Sequence, residues 1–182
     1  MGGVVSYLLS YLTPASQPDT TPDATTGLTE RDREIITETW GLIANKKVIK
    51  LSAMEFFIQF FTDYPYMLDF FPALKGKSIS ELRKSTHLRP HATSVFYALT
   101  SYVENVDDPE NLVGLVKKIS ISHVGRGIGF KEFEDLKTSL LKFVTSKLGP
   151  KGTPEVESAW RKLLTAHNSV FQATAEELSD KK

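Results

Sequence analysis

The sequence contains no cysteine among its 182 residues, which excludes disulfide bonds, thiolate metal sites and a thiol-based redox switch. No sign of charge dominates either, because Lys plus Arg and Asp plus Glu both number 22. Such a chain has no large field that would attract a phosphate backbone, so no nucleic acid partner is expected. The apolar start, MGGVVSYLLSYL, is too short to span a bilayer and lacks the basic residues that begin a signal peptide. We therefore expect an intracellular, cytoplasmic protein.

A polar segment separates this apolar start from the rest of the chain. Residues 13–27 are rich in Pro, Thr, Asp and Ala and contain no aromatic residue, which is typical of a solvated linker. We expect a flexible N-terminal extension over residues 1–27, one folded domain over residues 28–176 and a short C-terminal tail over residues 177–182.

Helix-start and helix-stop signals divide the folded domain. Thr29 with Asp32 resembles a capping box, while Asp108-Pro109 and Thr153-Pro154 are typical of first helical turns. No strand-like alternation and no internal repeat is evident, so the sequence predicts an all-α domain of seven or eight helices. The expected helices cover about residues 29–45, 48–62, 65–71, a segment through Val95 to Asn105, 108–123, 130–148, and from 153 onward, with a loop over residues 76–80.

Every chemical hypothesis must choose among four histidines, His87, His91, His123 and His167. His87 and His91 are four residues apart and could share a metal on one helical face, as the pair in HExxH does. No glutamate follows His87, however, and no third ligand is spaced to complete a zinc site. A lone histidine on an apolar helix is usually a hydrogen-bonded structural residue, and we interpret His87 and His167 in this way.

Three segments, taken in order and with their separations, resemble the globin family. They are PYMLDFF over residues 65–71, HATSVFYALTSYVENVDD from His91, and ISISHVGRGIG from Ile119. The similarity extends over about residues 28–175 and is greatest to neuroglobin-like and membrane-tethered, globin X-like members. It implies the globin fold, a three-over-three helical sandwich around one haem b (iron protoporphyrin IX).

The resemblance also implies roles for two histidines. His123 would be the proximal iron ligand, with its other ring nitrogen oriented by Ser122 or by the Ile119 carbonyl. His91 would lie on the distal side, where it could donate a hydrogen bond to a bound ligand or itself coordinate the iron. Pro90 departs from the family pattern, and we expect Thr86 to cap this helix or its first turn to be distorted.

Other haem contacts follow from the same resemblance. Phe71 would stack on the macrocycle, Phe57 would cover the distal pocket and Val95 would limit its size, although ordinary core packing would also bury all three. Ile119 and Ile128 are further expected cofactor contacts. Arg126 could pair with a haem propionate or remain a solvated surface residue.

The expected function is reversible binding of O₂ and other diatomic ligands, with His-Fe-His six-coordination in the ligand-free state. Expected small partners are O₂, CO, NO or nitrite and an unidentified reductant. The alternative is a haem redox enzyme that reduces nitrite, oxidises nitric oxide or acts on lipid peroxides. A third alternative is a haem-free helical module or a redox sensor that signals through a partner.

The first six residues match the acceptor pattern for N-myristoylation at Gly2. The alternatives are an unmodified, frayed terminus or an apolar helix that binds a partner. One myristoyl chain binds membranes only weakly, so a second signal is required. With that signal, Gly2 would attach the protein to the inner face of the plasma membrane.

Overall fold

The computed structural model describes residues 20–180, so the Gly2 hypothesis lies outside the described residues. Within them the chain forms seven α-helices and two 3-10 helices, with no strand. The α-helices are α1 (Glu30–Ile43), α2 (Ile49–Asp63), α3 (Ile79–Arg83), α4 (Leu88–Val103), α5 (Pro109–Val124), α6 (Phe130–Leu148) and α7 (Pro154–Ser179). The 3-10 helices are Pro65–Phe70 and Gly149–Lys151.

Side-chain caps begin three of the long helices as the sequence predicts. Thr29 and Asp32 form a complete capping box at the start of α1. Asp108 accepts a hydrogen bond from the Asn111 amide at the start of α5, and Thr153 caps α7 in the same way. These bonds satisfy amides that the first turn of a helix leaves without a partner, so the caps fix where each helix begins.

The helices form a three-over-three sandwich, which confirms the predicted fold class. One layer contains α1, α4 and α5, and the other contains α2, α6 and α7. Helix α4 packs mainly on α2, α5 packs mainly on α7, and α6 contacts both α2 and α7. Helix α7 continues to Ser179, beyond residue 176 at which we expected the domain to end.

Aromatic side chains fill the space between the layers. Phe56, Phe96 and Phe143, from α2, α4 and α6, meet with ring centroids 5.6 to 6.1 Å apart. Trp160 is fully buried, and its indole N–H donates to Thr39 Oγ1 at 2.9 Å. Because a buried donor without a partner is costly, this bond joins α7 to α1 in one defined register.

The start of α4 differs from the sequence expectation. Thr86 is not the cap: His87 is the N-cap residue and makes no side-chain capping bond, while Ser85 Oγ accepts from the Leu88 amide at 3.2 Å. Pro90 is therefore the third residue of the helix, where an amide would have no intrahelical acceptor. The missing N–H thus costs no helical hydrogen bond.

A second difference precedes α4. The short helix α3 begins inside the segment that we predicted as a loop over residues 76–80. Ser78 and Glu81 form a reciprocal capping box at its start. The Ser-x-x-Glu spacing is the local sequence signal that predicts a helix start at this position.

None of the helices between residues 20 and 180 combines the length and the apolar character needed to cross a bilayer.

Candidate functional site

His123 lies in the last turn of α5, and its orientation is fixed by its own helix. Its Nδ1 and the Ile119 carbonyl oxygen are 2.9 Å apart. Because a carbonyl can only accept, Nδ1 carries the proton and Nε2 keeps an unshared electron pair. Of the two orienting groups that the sequence left open, the structure thus uses the Ile119 carbonyl. A hydrogen bond of this kind is what normally orients a metal-binding histidine.

His91 lies in the first turns of α4 between two phenylalanine rings. Its ring centroid is 5.3 Å from that of Phe57 and 5.0 Å from that of Phe71, and both contacts are edge-on. Among residues 20–180, His91 has no hydrogen-bonding partner for either ring nitrogen. The two rings hold the imidazole in place and leave its nitrogens available to a ligand or metal.

Burial and charge keep the His91 imidazole neutral. Burial is the main cause that lowers the pKa of His91 to about 4, with smaller contributions from His123 in its protonated form and from Arg126. Helix α4, which carries His91, and helix α5, which carries His123, contact each other directly.

Apolar side chains continue the site along the two helices. Val95 is four residues after His91, and Ile119 is four residues before His123, so each lies on the same helical face as its histidine. Val95, Ile119 and Phe71 are all half-buried against the core. The site therefore presents two imidazoles on an otherwise apolar surface.

The segment after His123 turns back over the end of α5. The Arg126 and Ile128 amides both donate to the His123 carbonyl oxygen, at 2.9 and 3.2 Å, and Gly127 between them has φ of +77°. Ile128 is half-buried, whereas Arg126 is exposed and donates to the backbone and side-chain oxygens of Ser122. These hydrogen bonds hold the guanidinium of Arg126 against α5. The haem-propionate role of Arg126 stays a prediction.

Phe133 is a contact of His123 that the sequence analysis missed. Its ring meets the His123 imidazole edge-on at 5.4 Å, and its other contacts are His167 at 5.4 Å and Phe171 at 4.1 Å. The apolar periodicity of the α6 sequence explains why Phe133 is buried but does not predict this contact. Its position one turn into the helix that follows His123 was the available signal.

His167 is a structural residue, as we interpreted it. It is buried, and its Nδ1 donates to Asn168 Oδ1 at 3.0 Å, while the Asn168 amide donates to Glu134. Burial lowers the pKa of His167, which keeps the ring neutral in this interior. His87, by contrast, is exposed at the start of α4.

The donor set fits a haem better than a bare metal ion. Among residues 20–180 no group of three or more His, Asp or Glu side chains is placed to hold an ion. A haem supplies four nitrogen ligands of its own and requires from the protein only axial imidazoles and apolar walls. His123, with one free nitrogen, and the neutral His91 meet this requirement. The fold and site together define an all-helical haem-binding protein.

Comparison with known protein families identifies the family to which the chain belongs. The family model described as Globin matches residues 54–171, which is more than half of the chain. The chain therefore belongs to the globin family, as the sequence predicted. Family membership in turn implies haem binding.

Individual relatives agree with this assignment. A globin of Nerita albicilla is 31% identical over 121 residues, covering 66% of this chain and 77% of the relative. Cytoglobin-2 of Danio rerio is 29% identical over 142 residues, covering 76% and 78% respectively.

Solved structures confirm the fold. Ferric myoglobin of Aplysia limacina superimposes with a TM-score of 0.73 at 24% identity, covering 81% of this chain and 98% of the myoglobin. A hexacoordinated haem protein from an anhydrobiotic tardigrade superimposes with a TM-score of 0.76 at 19% identity, covering 85% and 99%.

Proposed function

We propose that this globin holds one haem b between His123 and His91 and binds O₂ and other diatomic ligands reversibly at the iron. The observation that carries the proposal is the pair of imidazoles on neighbouring helices, one oriented by the Ile119 carbonyl and the other without a hydrogen bond to any residue between 20 and 180. When bound, the haem supplies an iron with two axial positions on which a ligand and a side chain can compete.

Each part of the site has a defined task in this proposal. His123 would hold the iron through Nε2, because Nδ1 is committed to the backbone. Phe71 and Val95 would exclude water from the distal side, and Phe57 holds the His91 ring from the other edge. CO and NO would bind in the same place as O₂, and an unidentified reductant would return the iron to its ferrous state.

We further propose that His91 closes the sixth axial position in the absence of an external ligand. A neutral imidazole that makes no protein hydrogen bond loses no such bond when it coordinates a metal. The tardigrade haem protein that shares this fold is itself hexacoordinated, according to its description. Ligands would then compete with His91, which lowers the apparent affinity by the fraction of molecules whose iron is open.

Absorption spectroscopy tests the axial assignment. The ferrous, ligand-free protein should show the paired visible bands of a low-spin haem, and His91→Leu should replace them with one broad high-spin band. His87→Leu, on the exposed residue one turn earlier, is the matched control and should leave the spectrum unchanged. A wild-type protein that is already high-spin would disprove six-coordination but would leave haem binding intact.

The amino terminus supports a second part of the proposal, attachment to the inner face of the plasma membrane through a myristoyl group on Gly2. The match to the acceptor pattern and the apolar residues that follow it support this location. Coexpression with a myristoyltransferase should add the mass of one acyl chain to wild-type protein and none to Gly2→Ala. Protein that gains no lipid would refute the acylation.

A further inference from the structure

The corner between α1 and α2 carries an exposed patch that combines leucines and lysines. We call it the corner patch and define it by Leu42, Lys46, Lys47, Lys50 and Leu51. Leu42 is 53% exposed and Leu51 is 60% exposed, the highest value among the large apolar side chains of residues 20–180. Scattered exposed leucines are ordinary, but two beside three lysines are a distinct combination.

A hydrogen bond joins the two helices at the residues that follow the exposed leucines. Ser52 Oγ donates to the Ile43 carbonyl oxygen at 2.7 Å, so the preceding residue of each helix, Leu51 and Leu42, lies at the same corner. The intervening turn is ordered, because the Val48 and Ile49 amides both donate to the Asn45 carbonyl oxygen at 3.0 Å. The corner patch is therefore a fixed surface of the fold.

The charge of the corner patch is positive, although the whole chain is neutral. Lys46, Lys47 and Lys50 are exposed, and none forms an ion pair with a residue between 20 and 180. No acidic residue occurs from residue 39 to residue 54. The flanking carboxylates are Glu38 on α1 and Glu55 on α2, and Glu55 is neutralised by Lys147. The three lysines of the patch therefore outnumber Glu38, the flanking carboxylate that forms no ion pair with the described residues.

We propose that the corner patch docks on an anionic lipid surface. Lysines attract the headgroups of such a surface, and exposed leucines beside them can insert into its outer region. A second copy of the chain would bring like charges together, which disfavours self-association through this patch. The inference deepens the proposed membrane attachment by supplying the second signal that one acyl chain needs, but the patch acts without acylation.

Vesicle binding of the full-length, non-acylated holoprotein tests the proposal. The protein should sediment with vesicles that contain phosphatidylserine and much less with pure phosphatidylcholine, and added salt should release it. Each lysine near such a surface changes the partition coefficient roughly fivefold. Lys46→Gln/Lys47→Gln/Lys50→Gln should therefore lower it about a hundredfold.

Two further variants separate the patch from charge in general. Lys77→Gln/Lys84→Gln/Lys118→Gln removes the same charge from lysines elsewhere that form no ion pair with the described residues 20–180, and it should retain most of the binding. Leu42→Ser/Leu51→Ser leaves the charge unchanged and should still weaken binding at least several-fold. The Soret band of each variant verifies that its haem pocket is intact.

Several results would overturn the proposal. They are absence of wild-type binding to phosphatidylserine vesicles, equal losses in the patch and control lysine variants, and binding that survives both patch variants. Binding to soluble poly-glutamate that matches binding to vesicles, with no effect of the leucine changes, would instead identify an acidic protein partner. None of these results bears on axial coordination or on the mass of Gly2-acylated protein, so the proposals fail independently.

Discussion

Replacing Phe133 by alanine should loosen the histidine that we propose as the iron ligand. Phe133 is 6% exposed, and its ring lies between His123 and the Phe171 ring. An aromatic pair contributes about 1 kcal/mol beyond area burial, so losing the edge contact with His123 should accelerate haem loss roughly fivefold. The cavity should also reduce the free energy of unfolding by about 3 to 5 kcal/mol.

The two effects are separable because α6 offers a matched control. Phe143 is 4% exposed and contacts Phe56 and Phe96 rather than either candidate ligand. Phe143→Ala should lose similar stability in urea denaturation monitored by circular dichroism. Only Phe133→Ala should also transfer haem faster to an excess of a haem scavenger, with Phe133→Leu intermediate. Equal haem-loss rates in the two alanine variants would refute a specific role of Phe133 beside His123.

Two further predictions concern the proximal ligand and the start of α1. His123→Ala should release haem far faster than His87→Ala, because only His123 has an oriented ring with a free Nε2; equal rates in scavenger assays would disprove the assignment. Asp32→Asn should lower the free energy of unfolding at pH 7 by about 1 to 3 kcal/mol. Burial raises the pKa of Asp32, but hydrogen bonds from Lys162 and Thr29 outweigh it and hold the pKa below the ordinary value of 3.8. The contribution is therefore complete above that pH and is lost as the pH falls through the folded-state value, so urea titrations should show the difference between variant and wild type shrinking at low pH.

Much of the fold was predictable because its helix boundaries are encoded locally. Thr29 with Asp32, and proline after Asp108 and Thr153, specify caps through neighbours only a few residues away. The predicted helix over residues 130–148 has the bounds that the structure gives for α6. The roles of His91 and His123, by contrast, were predicted from the order and separation of motifs that resemble a known family. No local rule relates residue 91 to residue 123.

The errors and omissions arose where a contact depends on tertiary packing or on competing local groups. Ser85 rather than Thr86 bonds the first amide of α4, a choice between neighbouring hydroxyls that periodicity does not decide. Phe133 was recognised as apolar, yet its contact with His123 depends on how α6 crosses α5. The corner patch was not predicted for the same reason, since its residues lie on both sides of the turn that joins α1 to α2.

The two histidines lie on helices that pack against different neighbours, and this arrangement has a mechanical consequence. Helix α4 rests mainly on α2 and α5 mainly on α7, so His91 and His123 are carried by different parts of the core. The span between their nitrogens therefore depends on the spacing of α2 and α7, both of which contact α6. A change in the spacing of those two helices would therefore shift the two histidines relative to each other without altering any residue of the candidate site.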